Sequence, residues 1–191
     1  MNFCTQCGAA LTLRVPDGDN RLRHVCSSCG FIHYQNPKIV TGVIPEWEGR
    51  VLLCRRAIEP RYGYWTLPAG FMENGESAHA GAVREAMEEA NARIDISGLY
   101  TLFNLTHIDQ VYMLYRGRLI DLDFGPGDES LEVRLFARDE VPWDELAFQV
   151  VRETLRFYFR DQESGVFLLR NGTIDRGSKD QQQYRMRLID S

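Results

Sequence analysis

The chain has 191 residues, 44% of them hydrophobic and 26% charged, an ordinary globular balance with room for one core and a small accessory module. Its net charge of −5 provides no basic sheath, which argues against nucleic acid as a partner. No apolar run nears the ~18–20 residues that a membrane-spanning helix needs, and "MNFCTQCGAA" lacks the basic-then-apolar pattern of an export signal, so the expected compartment is the cytoplasm, where thiols stay reduced.

The chain opens on a cysteine pattern. Four of the five cysteines form two like pairs, Cys4-x-x-Cys7 and Cys26-x-x-Cys29, 18 residues apart, each followed by a glycine, Gly8 or Gly30. Thiolates at both ends of a short turn reach one Zn2+ at about 2.3 Å, and glycine lets the backbone fold tightly beneath the sulfurs. Two such knuckles in a reducing compartment predict a structural tetrahedral zinc site. A redox pair would instead start a helix, which this polar, turn-rich stretch does not offer. Residues 1–35 are too few to build a core, so the metal would take its place in a small zinc ribbon. "VPDGDNRL" carries a Pro-Asp-Gly turn suited to closing a hairpin between the knuckles. His24 and His33 flank the second pair, but four thiolates already satisfy the metal, and both read as exposed loop residues.

Pro37 in "YQNPK" marks a boundary, and residues 36–164 read as the main domain. "KIVTGVIPEW" and "RVLLCRRA" are predicted strands joined by a Glu48-Gly49 turn, with Cys54 a small buried side chain of the second. "YWTLPAGF" is a short aromatic strand ending at Pro68 and Gly70, and residues 77–90 are a helix. "LYTLFNLTH", "QVYMLYRGRLI" and "LEVRLFAR" are further strands, with "DFGPGDES" as a loop. "VPWDELAFQVVRETLRFYF" carries apolar residues at helical spacing and predicts a second helix. Strands on either side of a helix, without repeats, indicate an α+β or α/β sandwich. Residues 165–191 read as a C-terminal tail with an Asn171-Gly172 hairpin signal, and no chemistry is expected there.

The chemistry concentrates in "GFMENGESAHAGAVREAMEEAN", Gly70 to Asn91, which holds five glutamates and one arginine in 22 residues. At about 100° per residue, Glu85, Glu88 and Glu89 share one narrow helix face. Val83, Ala86, Met87 and Ala90 form the expected buried stripe, with His79 packed inside it. Arg84 stands four residues before Glu88, placed to orient a carboxylate. Gly81 lies one turn before Glu85 on the acidic face. A mid-helix glycine costs about 1 kcal/mol against alanine, and clearance for whatever approaches the carboxylates is the reason the position suggests. A solvated face would interleave lysines, because like charges at i,i+4 repel by roughly 0.2–0.5 kcal/mol, and none relieves Glu85 and Glu89. Hard oxygen donors grouped this way suit Mg2+ or Mn2+.

Gly70, five residues, Glu76, seven residues, then Arg84-Glu85-Ala86-x-Glu88-Glu89 resembles the Nudix box, with Asn91 where the box closes on glycine. That glycine ends the helix in a left-handed conformation, and Asn is the next best residue for it. "YGYWTLPAGF" is similar to the strand and loop that lead into the box, and "ESLEVRLFARDEVP" to the late strand that brings one more glutamate toward the metals. By that match Glu129 is the extra ligand or base, with Glu132 as runner-up. The four-cysteine ribbon resembles that of the NADH pyrophosphatase group, and also that of a group of FAD and ADP-ribose pyrophosphatases in which "YQNPK" and "PAGF" recur.

The resemblance implies an α/β/α sandwich Nudix fold and hydrolysis of a nucleoside diphosphate linked to another moiety. Glu85, Glu88, Glu89 and Glu129 would hold Mg2+ or Mn2+, a free carboxylate would position or deprotonate water, and Arg84 and Glu76 would keep helix and loop in register. Phe3, Tyr34, Tyr64 or Phe71 could stack on a base. NADH pyrophosphatases carry "SQPWPFP" shortly after the box; here the region reads "YTLFNLTHID", which favours FAD or ADP-ribose over NADH as substrate. Many ADP-ribose hydrolases place a proline where this chain has His107. A Nudix-like domain that binds a nucleotide without cutting it is the alternative, and a ribbon-mediated homodimer is left open.

Overall fold

The structure is a computed structural model describing residues 1–176 and 184–189. The chain divides into two compact units, Met1–Pro37 and Lys38–Ser191. In the first, β1 (Leu11–Arg14), β2 (Arg23–Cys26) and β3 (Ile32–His33) form a small antiparallel sheet, with Leu11 opposite Cys26. The two histidines are not loop residues: His24 and His33 face each other across β2 and β3, and His33 is buried.

The second unit is built on a nine-stranded mixed sheet. β4 (Lys38–Trp47) and β5 (Arg50–Arg56) are joined by Glu48 and Gly49, both at positive φ, as a two-residue hairpin turn demands. "YWTLPAGF" splits into β6 (Trp65–Thr66) and β7 (Ala69–Phe71), which pair with β5 and β4 respectively. Helix α1 (Ala78–Ala90) follows, then β8 (Ile94–Leu105), β9 (Gln110–Leu119), β10 (Ser130–Phe136) and helix α2 (Gln149–Ser164). The second helix starts later than its apolar spacing suggested. Residues before it instead run alongside Trp65, with a bridge to Leu146 and the Ala147 N–H donating to the Trp65 carbonyl at 2.8 Å.

Two strands come from the segment read as a tail. β11 (Arg170–Arg176) pairs parallel with β8, and β12 (Tyr184–Leu188) pairs with β11 at the sheet edge. Asn171 and Gly172 therefore stand inside a strand, not at a turn. A side chain at Gly172 would meet the Arg187 carbonyl oxygen at 2.5 Å, so this glycine serves a close backbone approach.

Alternating side chains of the central strands bury on opposite faces. Val43, Leu52 and Cys54 pack with Ala82, Ala86 and Ala90 of α1, while Ile44, Val51 and Leu53 pack with Val150, Val151 and Leu155 of α2. This is why β4 and β5 read as continuous apolar runs, and it produces a sheet covered by a helix on each side. No helix among the described residues is long and apolar enough to cross a membrane.

Candidate active site

Helix α1 is held against β4 and β7 by small residues. Ser77 caps its start, its side chain accepting from the Ala80 N–H at 3.1 Å. Thr41, buried in β4, donates its hydroxyl to the Ala78 carbonyl at 2.6 Å. A Cβ at Gly81 would meet the Thr41 methyl at 2.6 Å and Glu76 Oε1 at 2.7 Å. The clearance expected there for a ligand is thus taken by the protein's own strand and loop. At Gly70, a Cβ would lie 2.5 Å from the Glu85 carboxyl carbon, so this glycine vacates the space that the carboxylate fills.

The helix is rotated from the expected orientation. Gly81, Ala82, Glu85, Ala86, Glu89 and Ala90 are its buried residues, whereas Met87 and His79 are exposed. The buried side includes two of the acids: Glu85 is 7% and Glu89 6% exposed. Alanine and glycine at the remaining positions allow an approach too close for the stripe of larger side chains.

Arg84 is the hub of the cluster. Its Nε and Nη2 donate to the two oxygens of Glu76 at 3.1 and 2.8 Å, Nη1 to Glu85 Oε1 and Glu88 Oε2 at 2.8 Å each, and Nη2 to the Phe71 carbonyl at 3.2 Å. Those contacts use all five guanidinium donors. They hold the Glu76 carboxyl down to about 2 and tie the box loop to the helix. Glu89 stands apart from this hub. One of its oxygens accepts from the Ala69 N–H at 3.3 Å, and among the described residues no basic side chain forms an ion pair with it. Burial, with the Glu85 charge beside it, pushes its carboxyl up to about 8; burial likewise raises that of Glu85, against the pull of Arg84.

The helix end positions the fifth acid. Asn91 adopts the left-handed conformation (φ 48°, ψ 28°), and its side-chain amide donates to the Gly125 and Pro126 carbonyls at 3.3 and 3.2 Å. The N–H groups of Gly125 and Gly127 donate back to the carbonyls of Ala90 and Glu89 at 2.9 and 3.1 Å. This docked loop leads to Glu129, whose charge helps raise Glu85 and Glu89. Glu132 instead faces Arg55 at 3.8 Å.

Glu85, Glu88, Glu89 and Glu129 line one cavity of about 1220 Å3, together with Arg56, Tyr64, Phe71 and Tyr112. Sequence reasoning missed Arg56, which is 9% exposed, donates Nε to the Pro60 carbonyl at 2.9 Å and lies over the Phe148 ring. A lone arginine ending an apolar strand gave no signal. Chemically, the cavity pairs buried carboxyl oxygens, donors of the kind that suit a hard cation, with one buried guanidinium suited to an anion.

In the first unit, the ligand atoms of Cys4, Cys7, Cys26 and Cys29 all lie within 4.8 Å of one another. Sulfur separations of 3.8 Å (Cys4–Cys29), 3.4 Å (Cys7–Cys26) and 3.5 Å (Cys7–Cys29) are near the ~3.8 Å that tetrahedral Zn–S bonds of about 2.3 Å require. Among the described residues no other group of three or more such ligands meets that distance, so the carboxylates around Arg84 are not drawn together as closely.

Residues 2–35 match the family model described as Nudix N-terminal, and residues 36–158 match the NUDIX domain. A solved NUDIX hydrolase from Nitrosomonas europaea is similar at 54% identity and a TM-score of 0.89, over 92% of this chain and 99% of that one. An ADP-ribose pyrophosphatase of Methanocaldococcus jannaschii is 26% identical over 136 residues, 65% of this chain and 76% of that protein. The NAD-capped RNA hydrolase NudC of Vibrio atlanticus is 33% identical over 103 residues, 52% of this chain but only 34% of its own length.

Proposed function

The chain belongs to the Nudix family of hydrolases, and from that premise we propose that it splits the diphosphate bridge of a nucleoside diphosphate linked to another moiety, with FAD or ADP-ribose as substrate. The observation that carries this reading is Glu89, a buried carboxylate beside Glu85 with no ion pair to a basic side chain among the described residues, facing a large cavity. Burial keeps the proton on such a carboxyl unless a cation replaces it, which makes Glu89 a ready donor for a metal ion.

Glu85, Glu88, Glu89 and Glu129 would hold Mg2+ or Mn2+. When bound there, a divalent cation would screen the diphosphate charge and acidify an attacking water. Arg84 fixes the orientation of Glu85 and Glu88, while Glu76 fixes Arg84. Gly70 keeps the space for the Glu85 carboxylate open. A free carboxylate, Glu129 or one of the helix acids, would take the proton from the water as the water oxygen bonds to phosphorus and the bridging P–O bond breaks, the bridging oxygen leaving with the second monophosphate. Arg56 offers a cation to the phosphate oxygens from another wall. The products are two monophosphates: AMP and FMN from FAD, or AMP and ribose 5-phosphate from ADP-ribose. The four thiols would hold a structural Zn2+, a role that needs the reducing conditions of a compartment such as the cytoplasm.

The likeness to NudC supports a second reading, a NAD(H) pyrophosphatase, against which stands "YTLFNLTHID" in place of "SQPWPFP". A panel of FAD, ADP-ribose, NADH and diadenosine polyphosphates, with Mg2+ or Mn2+ and released mononucleotide as readout, separates them. FAD or ADP-ribose should exceed NADH in kcat/KM by roughly tenfold, about 1.4 kcal/mol of transition-state binding. NADH equal to or above both would favour the second reading, and no cleavage of any would overturn the first and second alike.

A further inference from the structure

The match to the NUDIX domain ends at residue 158, but the wall of the cavity does not. Ile174 of β11 and Tyr184 of β12 line the same space as the glutamates. These strands are firmly attached. Residues Arg170 to Thr173 pair in register with Thr101 to Asn104, and the Asn104 amide donates to the Gly172 carbonyl at 3.1 Å. Asp161 of α2 grips Arg170 through both oxygens, at 2.5 and 2.6 Å. Thr106 donates to Asp175 Oδ1 at 2.5 Å, and Arg187 to Oδ2 at 2.9 Å, so both strands are tied to the turn that carries His107.

The wall presents rings and an uncovered aliphatic side chain. The Tyr184 ring lies 5.9 Å from that of His107, tilted by 57°. Tyr184 is 41% exposed and the neighbouring cavity residue Ile108 is 48% exposed. Apolar and aromatic groups left open in a concave site are features of a ligand subsite, not of a packed core. Its place in the sheet says which part of a ligand reaches it. From β7, where Gly70 adjoins Glu85, the order passes through β4, β9 and β8 to β11. The turn between β8 and β9 that carries His107 lies up to three strand spacings of about 4.8 Å from β7, roughly 14 Å, with the Tyr184 ring 5.9 Å from His107, beyond a diphosphate held at the glutamates.

We propose that the β11–β12 strand pair completes a subsite for a flat aromatic heterocycle at one end of the substrate, with Tyr184 and His107 as its ring-binding groups. This rests on the reading that the diphosphate sits at the box glutamates. Two rings of FAD share that chemistry, the adenine and the flavin, whereas ADP-ribose has only the adenine.

Binding of FAD and of ADP-ribose, measured by calorimetry in Ca2+ for the full chain, tests the subsite without requiring turnover. Tyr184→Leu should weaken FAD binding about tenfold, the scale of one lost stacking contact, while Tyr184→Phe stays within twofold of wild type. An equal loss for ADP-ribose would place the adenine there; a loss confined to FAD would place the flavin. Unchanged binding of both ligands by Tyr184→Leu, an equal loss in Tyr184→Phe, or no binding by wild type would overturn the proposal. Hydrolysis in Mg2+ is scored separately: ring-dependent binding without hydrolysis of either compound would sustain the subsite and overturn the catalytic reading.

Discussion

Gly70→Ala tests the steric argument at the centre of the site. The new methyl would stand 2.5 Å from the Glu85 carboxyl carbon and Oε2, whereas ordinary contact begins near ~3.5 Å. Something must move by about 1 Å. The backbone of Gly70 is not in the left-handed region, so alanine itself is accepted there. The Glu85 side chain is the mobile partner, and its retreat is resisted by the Arg84 bond at 2.8 Å and by its burial. A displacement of this size in a reacting constellation costs on the order of a hundredfold in rate, while overpacking costs about 1–3 kcal/mol of stability.

The assay is kcat/KM for ADP-ribose with Mg2+, alongside urea unfolding of the same preparations. The expected outcome is a folded protein with roughly 1% of wild-type efficiency. Glu85→Asp supplies the control, because a side chain one methylene shorter withdraws the carboxylate from the intruding methyl. In the double variant the loss should be smaller than the product of the single losses. Near-normal activity of Gly70→Ala, or strictly multiplicative losses, would refute the assignment of Gly70 as the space for Glu85.

Other perturbations reach different parts of the chain. Cys7→Ser should lower zinc content by metal analysis and disorder the first unit, since a structural zinc contributes roughly 10–16 kcal/mol in small fingers, while the strands and helices of residues 38–176 keep their melting transition. Arg170→Met leaves Asp161 buried without its bidentate partner and should destabilise the second unit by about 3–5 kcal/mol in urea unfolding. Glu89, with a folded pKa raised to about 8, binds its proton more tightly folded than unfolded, so its contribution is complete below about pH 4.3 and is lost as pH rises through about 8. In the absence of divalent ions the melting temperature should therefore fall between pH 5 and pH 8, and Glu89→Gln should remove that part of the slope; a pH-independent wild type would sink the reading.

The strands were legible where both faces are buried, because continuous apolar runs bounded by Glu48-Gly49 admit few other conformations. The rotation of α1 was not. A hydrophobic stripe is found by assuming that acids face water, but here Glu85 and Glu89 lie on the side that packs, beside glycine and alanine. A site that buries charge defeats the pattern because its function contradicts the assumption. The turn expected at Asn171-Gly172 was misplaced for a related reason, although two antiparallel strands do stand in that segment. Asn171-Gly172 is a strong turn signal in local terms, yet the carbonyl of Arg187, a residue distant in sequence, decides why a glycine stands there.

Asn91 shows what a motif leaves out. As a departure from the closing glycine of the box, it reads only as a tolerable choice for a left-handed residue. In the fold its amide makes two bonds that glycine has no atoms to make, both to the loop leading toward Glu129. That loop lies so close to the helix that a side chain at Gly127 would run into the Glu88 carbonyl oxygen. The helix that carries three acids and the loop that brings another are thus fixed to one another at a single corner. The residues doing so, Asn91, Gly125 and Gly127, have no acid, base or metal-ligand chemistry by which a sequence could single them out.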